Sequence, residues 1–315
     1  MNPRTRLTWE ELPGQVRTWA QRALGSPVVR VDHASGGYSP GTTDALFCAD
    51  GSRGFLKAVH PSINPDSPGL IRSERQALEK LPAGLPIAGL IAALDEGPDG
   101  WVAILIEHVA GEQPPLPWTN ELIGTVLAAL RVTESVRVPD LRDAVDALRP
   151  LLELWPGLAG RADLDPWLAA RLPALDAAAR RALAAAAGET LLHLDLRADN
   201  LLRRPDGTIA IVDWAWAARG ASWVDPAGLI IEFISSGSAE VDADAWLERI
   251  ATDQGVPAAL IADFLTGALG YFESAGRSPD PPGLPTVREF QRFQASALRG
   301  WLRSSRHTGQ LRDRR

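Results

Sequence analysis

The chain has 315 residues, 45 % hydrophobic and 23 % charged, enough for one large or two ordinary domains with a sizeable core. A net charge of −7 does not suit the phosphate backbone of nucleic acid, and no apolar run approaches the ~18–20 residues that cross a bilayer. The single Cys48 excludes an internal disulfide framework, no Cys/His cluster has zinc spacing, and the first residues lack a secretory signal, so a cytoplasmic protein is expected. Short β-branched or aromatic runs at 28–34, 44–50 and 54–60 read as strands, punctuated by SGGYSPG and DGSRG turns. Helical spacing follows over 66–81, then strands at LIAALDE and 101–109. After AGEQPPLP, helical patterns take over at 119–136, 140–154 and 164–187. A strand at ETLLHLD and a hairpin in LLRRPDGTIAIVDW interrupt them, with Asp206-Gly207 as its turn. Helices at 223–236, 242–253, 256–275 and 284–305 complete an α+β chain without internal repeats. The proline-containing stretch 111–118 marks the boundary between a β-rich N-terminal lobe (1–110) and a larger helical lobe (111–306). Residues 307–315 are expected to form a mobile tail.

The stretch HLDLRADNLLRRPDGTIAIVDWAW (193–216) carries the densest chemistry. A loop holding Asp195 can accept a hydrogen bond from a substrate hydroxyl and take its proton. Asn200, five residues on, and Asp213, at the end of the next apolar strand, offer hard oxygen ligands suited to Mg²⁺. These are the parts of a phosphoryl transferase, whose loose transition state demands positioning and charge neutralisation. The alternative is that Asp195, Asp199 and Asn200 only cap turns.

Arg supplies nearly every basic group, and the only lysines are Lys57 and Lys80. Lys57 lies inside the strand GFLKAVH, where an ammonium needs anionic partners. Phosphates of a nucleoside triphosphate would serve, as would Glu74, seventeen residues on along the predicted helix. The glycine-containing turn ASGGYSPG could aim backbone N–H groups near Gly36, Gly37 and Ser39 at phosphates, although a plain hairpin turn reads the same.

The order Lys57, Glu74, ILIEHVAG (104–111), H-x-D-x-x-x-x-N and IVDW resembles the aminoglycoside phosphotransferase/choline kinase family over about 28–275. The resemblance implies a bilobal protein-kinase-like fold with a hinge at 104–111. It implies Lys57 on the nucleotide phosphates with Glu74 holding it, Asp195 as catalytic base, and Asn200 and Asp213 on Mg²⁺. Backbone groups around Glu107 and Val109 would meet the adenine, Arg197 would face the transferred phosphoryl group, and ATP or GTP would be the donor. His193 and Asp225 would brace the catalytic loop. Only eleven residues separate Asp213 from Asp225 and no A-P-E follows, which leaves no room for a protein kinase's substrate-docking segment. A non-catalytic, nucleotide-binding sensor is the alternative, and no catalytic position is missing to favour it.

The acceptor implied is a hydroxyl on a small molecule. From Asp225 to Ala275 the chain carries nine acids against Arg249, a pattern that would attract a cationic amino sugar, antibiotic or amino alcohol, or simply form a solvated helix surface. From Pro285 onward eight arginines face two acids, with Phe290, Phe293, Ala297 and Trp301 as the expected buried side of the last helix. That basic end argues against a polycation.

Overall fold

A computed structural model describes residues 6–34, 41–282, 284 and 286–311. The first half of the chain forms α1 (Gly14–Leu24), β1 (Val28–His33), β2 (Thr42–Cys48), β3 (Arg53–Val59), α2 (Ser67–Leu78), β4 (Leu90–Asp95) and β5 (Val102–Ile106). Next come α3 (Asn120–Glu134), α4 (Ala144–Leu152), α5 (Pro166–Ala169), α6 (Leu172–Ala185), β6 (Thr190–Leu192), β7 (Leu201–Arg203) and β8 (Ile209–Ile211). Strand β9 (Ala218–Gly220) leads into α7 (Val224–Ser236), α8 (Ala243–Gln254), α9 (Ala258–Ala275) and α10 (Val287–Ser304). Contacts divide the chain into two compact units. One comprises Met1–Gln113, Asp199–Ala217 and Asp280–Val287; the other comprises Pro114–Ala198, Ala218–Pro279 and Arg288–Arg315. The β7–β8 hairpin therefore groups with the N-terminal unit, whereas the segments before and after it in the chain group with the other.

The N-terminal unit is built on an antiparallel sheet of order β1-β2-β3-β5-β4. Alternation along β3 sends Leu56 and Ala58 to one face, where they are fully buried with Leu46, Ala103 and Leu105. Helix α1 covers that face with Val16 and Ala20, and Trp9 and Leu12 extend the cluster. Burying each such leucine contributes about 2 kcal/mol. The sequence pattern missed α1. Its stretch GQVRTWAQRAL buries only Val16 and Ala20, too few apolar positions to reveal a helical period. The opposite side of β3 carries Lys57, and α2 packs near this strand and β5.

In the second unit, α6 packs on α9 through small side chains. Ala178, Ala179 and Ala182 on α6 are fully buried, and Gly267 on α9 lets the two helices approach closely. Trp155 is fully buried and donates from Nε1 to the Thr266 carbonyl at 3.2 Å. The single helix expected over 164–187 is two. Pro173 stands in the first turn of α6; its ring lacks an N–H and would clash with the preceding turn of a continuous helix.

The last helix also differs from expectation. Its buried side is Gln291, Gln294, Ala295, Leu298 and Leu302, while Phe293 is 55 % exposed. Two glutamines, of which Gln291 bonds to Arg288 and Tyr271, take the place expected for aromatics in that interface. The stretch expected to be a mobile tail begins as packed chain: Thr308 is buried and donates to the carbonyls of Leu302 and Ser305, both at 2.9 Å. No single helix among the described residues is long and apolar enough to cross a membrane.

Candidate active site

In the N-terminal unit, one ammonium is shared by two carboxylates. Lys57 Nζ donates to Glu74 Oε2 at 2.7 Å, to Glu74 Oε1 at 2.9 Å and to Asp213 Oδ1 at 3.0 Å. The Lys57 side chain is 13 % exposed, that of Glu74 2 % and that of Asp213 43 %. Burial acts to depress the Lys57 pKa, but Asp213 and Glu74 outweigh it and hold the ammonium above its ordinary value. Burial pushes the Glu74 carboxyl up, with Lys57 and the Trp214 backbone N–H opposing. Strand β3 supplies the lysine and α2 the glutamate, so the pair ties the sheet to its helix.

Asp213 reaches Lys57 from a left-handed backbone conformation, φ 68°. That conformation costs roughly 1–2 kcal/mol for a non-glycine residue and is held by what surrounds it. Trp214, buried, anchors the turn by donating from Nε1 to the Ile211 carbonyl at 3.0 Å. The β7–β8 register pairs Leu201 with Ile211, and the Val212 N–H donates to the Asn200 carbonyl at 2.9 Å. Asn200 and Asp213 thus stand at the open end of one hairpin. Among the described residues no three His, Cys, Asp or Glu side chains cluster as a metal site. An all-oxygen set of one carboxylate and one amide suits Mg²⁺, which keeps most of its coordination for water and phosphate.

The second unit holds the loop that follows β6. His193 is fully buried, and its Nδ1 accepts the Asp195 backbone N–H at 3.2 Å, which leaves the ring's proton on Nε2. Asp225, in the first turn of α7, accepts two successive N–H groups, from His193 at 2.6 Å and Leu194 at 2.9 Å. Between those bonds Leu194 adopts φ 64°, so the carboxylate holds a strained residue in place just before Asp195. Burial raises the Asp225 pKa to about 6, with the two N–H groups opposing. Glu232, two turns along α7, accepts the Ala198 N–H at 3.1 Å. The Arg197 guanidinium lies 4.8 Å from the centre of the Phe290 ring.

Residues 44–264 match the model of the phosphotransferase enzyme family. The chain belongs to that family. Its fold is the protein-kinase-like one of solved family members. An aminoglycoside phosphotransferase from Alicyclobacillus acidocaldarius shares 17 % identity over 95 % of this chain and 96 % of its own, with a TM-score of 0.53. Choline kinase LicA from Streptococcus pneumoniae shares 14 % over 91 % and 98 %, with a TM-score of 0.55. A thermostable mutant of the aminoglycoside phosphotransferase APH(4)-Ia, in ternary complex with AMP-PNP and hygromycin B, shares 13 % over 94 % and 99 %, with a TM-score of 0.59. Comparison with curated protein sequences gives no match.

Of the family positions read from the sequence, Lys57, Glu74, Asn200 and Asp213 fall in one unit and Asp195 and Arg197 in the other. Gly36, Gly37 and Ser39 lie outside the described residues. Glu107 and Val109 line a cavity of about 540 Å³ with Arg53, His108 and Arg204, and this cavity does not include Lys57 or Asp213. The Glu107 N–H is committed to the Gly89 carbonyl at 2.8 Å, and its side chain accepts the Gly89 N–H at 3.0 Å. Its amide is therefore not available to a base edge, and the expectation narrows to its carbonyl and the backbone of Val109. Glu232 was missed, although its i+7 spacing from Asp225 on α7 put both on one helical stripe.

The nine acids between Asp225 and Ala275 have internal work. Asp225 and Glu232 hold the loop, Asp242 caps α8, and Glu240 accepts the Asn120 N–H. Asp244 accepts Trp301 Nε1, Glu248 pairs with Arg306, and Asp253 with Arg131. Asp263 accepts from Nε and Nη2 of Arg181, and Glu273 pairs with Arg277 and Arg299. Each of these carboxylates therefore has a partner within its own unit.

Proposed function

We propose that the chain transfers the γ-phosphoryl group of ATP to a hydroxyl of a small molecule. The observation that carries this reading is the Lys57 ammonium fixed between Glu74 and Asp213 in a family member that also keeps Asp195 and Asn200. Nucleotides in solved relatives, AMP-PNP among them, support ATP as donor, with GTP as the alternative. Lys57 neutralises the non-transferred phosphates, and Glu74 keeps its Nζ in place. Asp195 takes the acceptor's proton as the hydroxyl oxygen bonds to Pγ. The bond from Pγ to the β–γ bridging oxygen breaks, and the nucleoside diphosphate leaves with that electron pair. Arg197 meets charge on the group in flight. Asn200 and Asp213 would hold Mg²⁺, which would offset phosphate charge.

The Asp225 clamp gives Asp195 a fixed approach, so proton removal costs no loop ordering at the moment of reaction. The protein acts in the cytoplasm, where the nucleoside triphosphate is supplied. Acceptor-dependent release of nucleoside diphosphate should fall ~10²–10⁴-fold in Asp195→Asn while fluorescent-nucleotide affinity is kept. A wild-type rate in that variant would remove Asp195 from the chemistry. Nucleotide binding with no turnover on any acceptor would favour the sensor reading.

A further inference from the structure

On α10, in the same unit as the catalytic loop, one arginine is hydrogen-bonded to neutral groups. Arg288 donates from Nη1 to Gln291 Oε1 at 2.8 Å and from Nε to the Pro279 carbonyl at 3.0 Å. Gln291 in turn donates from Nε2 to the Tyr271 hydroxyl at 3.1 Å, which leaves that hydroxyl's own hydrogen to donate elsewhere. Several arginines of the unit are neutralised, Arg181 by Asp263, Arg131 by Asp253, Arg299 by Glu273 and Arg303 by Asp165, whereas Arg292, one turn on from Arg288, donates to the Gly276 carbonyl. Arg288 has no carboxylate partner among the described residues. Its charge is held in place without being cancelled, the arrangement of a guanidinium that receives an anion.

The cluster is tied to the catalytic loop through α10. The Tyr271 hydroxyl is half-buried and feels the charges of Arg288, Asp195 and Arg197. Arg197, two residues after Asp195, stacks on Phe290, the residue before Gln291. An acceptor brought to Asp195 would find an arginine, a phenol donor and aromatic surface on the helices that pack with the catalytic loop.

Resting on the phosphotransferase reading above, we infer that the acceptor carries an anionic group, a carboxylate or phosphate, close to its reactive hydroxyl, and that Arg288 selects it. An anion there is offset by Arg288, so Asp195 can approach the hydroxyl without unrelieved repulsion.

The test uses two matched acceptor series on the full chain: glycerate, glycerol and aminopropanediol, and gluconate, glucose and glucosamine. Binding is measured by calorimetry with AMP-PNP and Mg²⁺ present, and ADP release with ATP. The anionic member of a series is expected to bind at least tenfold more tightly than its neutral and cationic counterparts. Arg288→Gln should cost that member ~10–100-fold and its neutral counterpart less than threefold, and Arg288→Lys should restore most of the preference. Preference for the neutral or cationic members, an equal loss for all members in Arg288→Gln, or no saturable binding of either anion overturns the inference. Arg288-dependent anion binding without ADP release supports the inference and counts against the phosphotransferase reading alone.

Discussion

Replacing Asp225 with Asn separates two forces that act in opposite directions on one carboxylate. Asn keeps one oxygen acceptor for the paired N–H groups of His193 and Leu194 but turns an N–H of its own toward the other. A buried amide left unpaired costs about 1–3 kcal/mol. Weaker support for the left-handed Leu194 adds up to about 1–2 kcal/mol. Against this stands the burial of a charge. The Asp225 pKa is raised from 3.8 to about 6. A raised carboxyl stabilises the fold fully below the unfolded value, and that contribution is lost as pH rises through the folded value. At ~1.4 kcal/mol per pK unit, the loss comes to about 3 kcal/mol across that window. Wild-type protein should therefore be more stable than Asp225→Asn by about 2–4 kcal/mol near pH 4, with the gap closing toward zero by about pH 7. Urea unfolding of both proteins at a series of pH values measures the gap directly. A gap that is constant, or that widens with pH, would refute the reasoning and show that the two N–H bonds outweigh the cost of burial.

Lys57→Met leaves Glu74 buried without its cation. It should cost about 3–5 kcal/mol at pH 8 and less at pH 5, where burial lets Glu74 take up a proton. Equal losses at both pH values in thermal melts would reduce Lys57 to a packing role. In Gly188→Ala the new Cβ would stand 2.4 Å from the Gly220 carbonyl oxygen, so β9 must shift at a cost of about 1–3 kcal/mol. A neutral result in denaturant unfolding would contradict that contact. Trp214→Phe removes the donor to the Ile211 carbonyl and should destabilise by about 1–3 kcal/mol; unchanged stability would mean the indole only fills space.

The strands and most helices were legible because their apolar spacing is strong, as in β3, where burial alternates from Leu56 to Ala58. Helix α1 was not, since its solvent side outweighs the two residues it buries. The break before α6 was visible as Pro173 but overridden by a long alanine-rich pattern. The candidate site was legible as an order of residue types. Spacing alone could not reveal that Lys57 would hold Asp213 across 156 positions, because that contact exists only once β3 and the hairpin have folded into one unit. The same limit hides how the acidic stretch is partnered: charge counts add up along the chain, whereas pairs such as Asp263 with Arg181 form across 82 positions.

With only two lysines in the chain, the shared ammonium has an experimental use. Lys80 is exposed, while Lys57 is enclosed and held protonated, a form with no nucleophilic lone pair. An amine-reactive label at neutral pH should therefore mark Lys80 and the chain's amino terminus within minutes and leave Lys57 untouched. Any later modification of Lys57 would time how often the ion triad opens. The scarcity of lysine gives this protein a built-in clock for motion at its own candidate site.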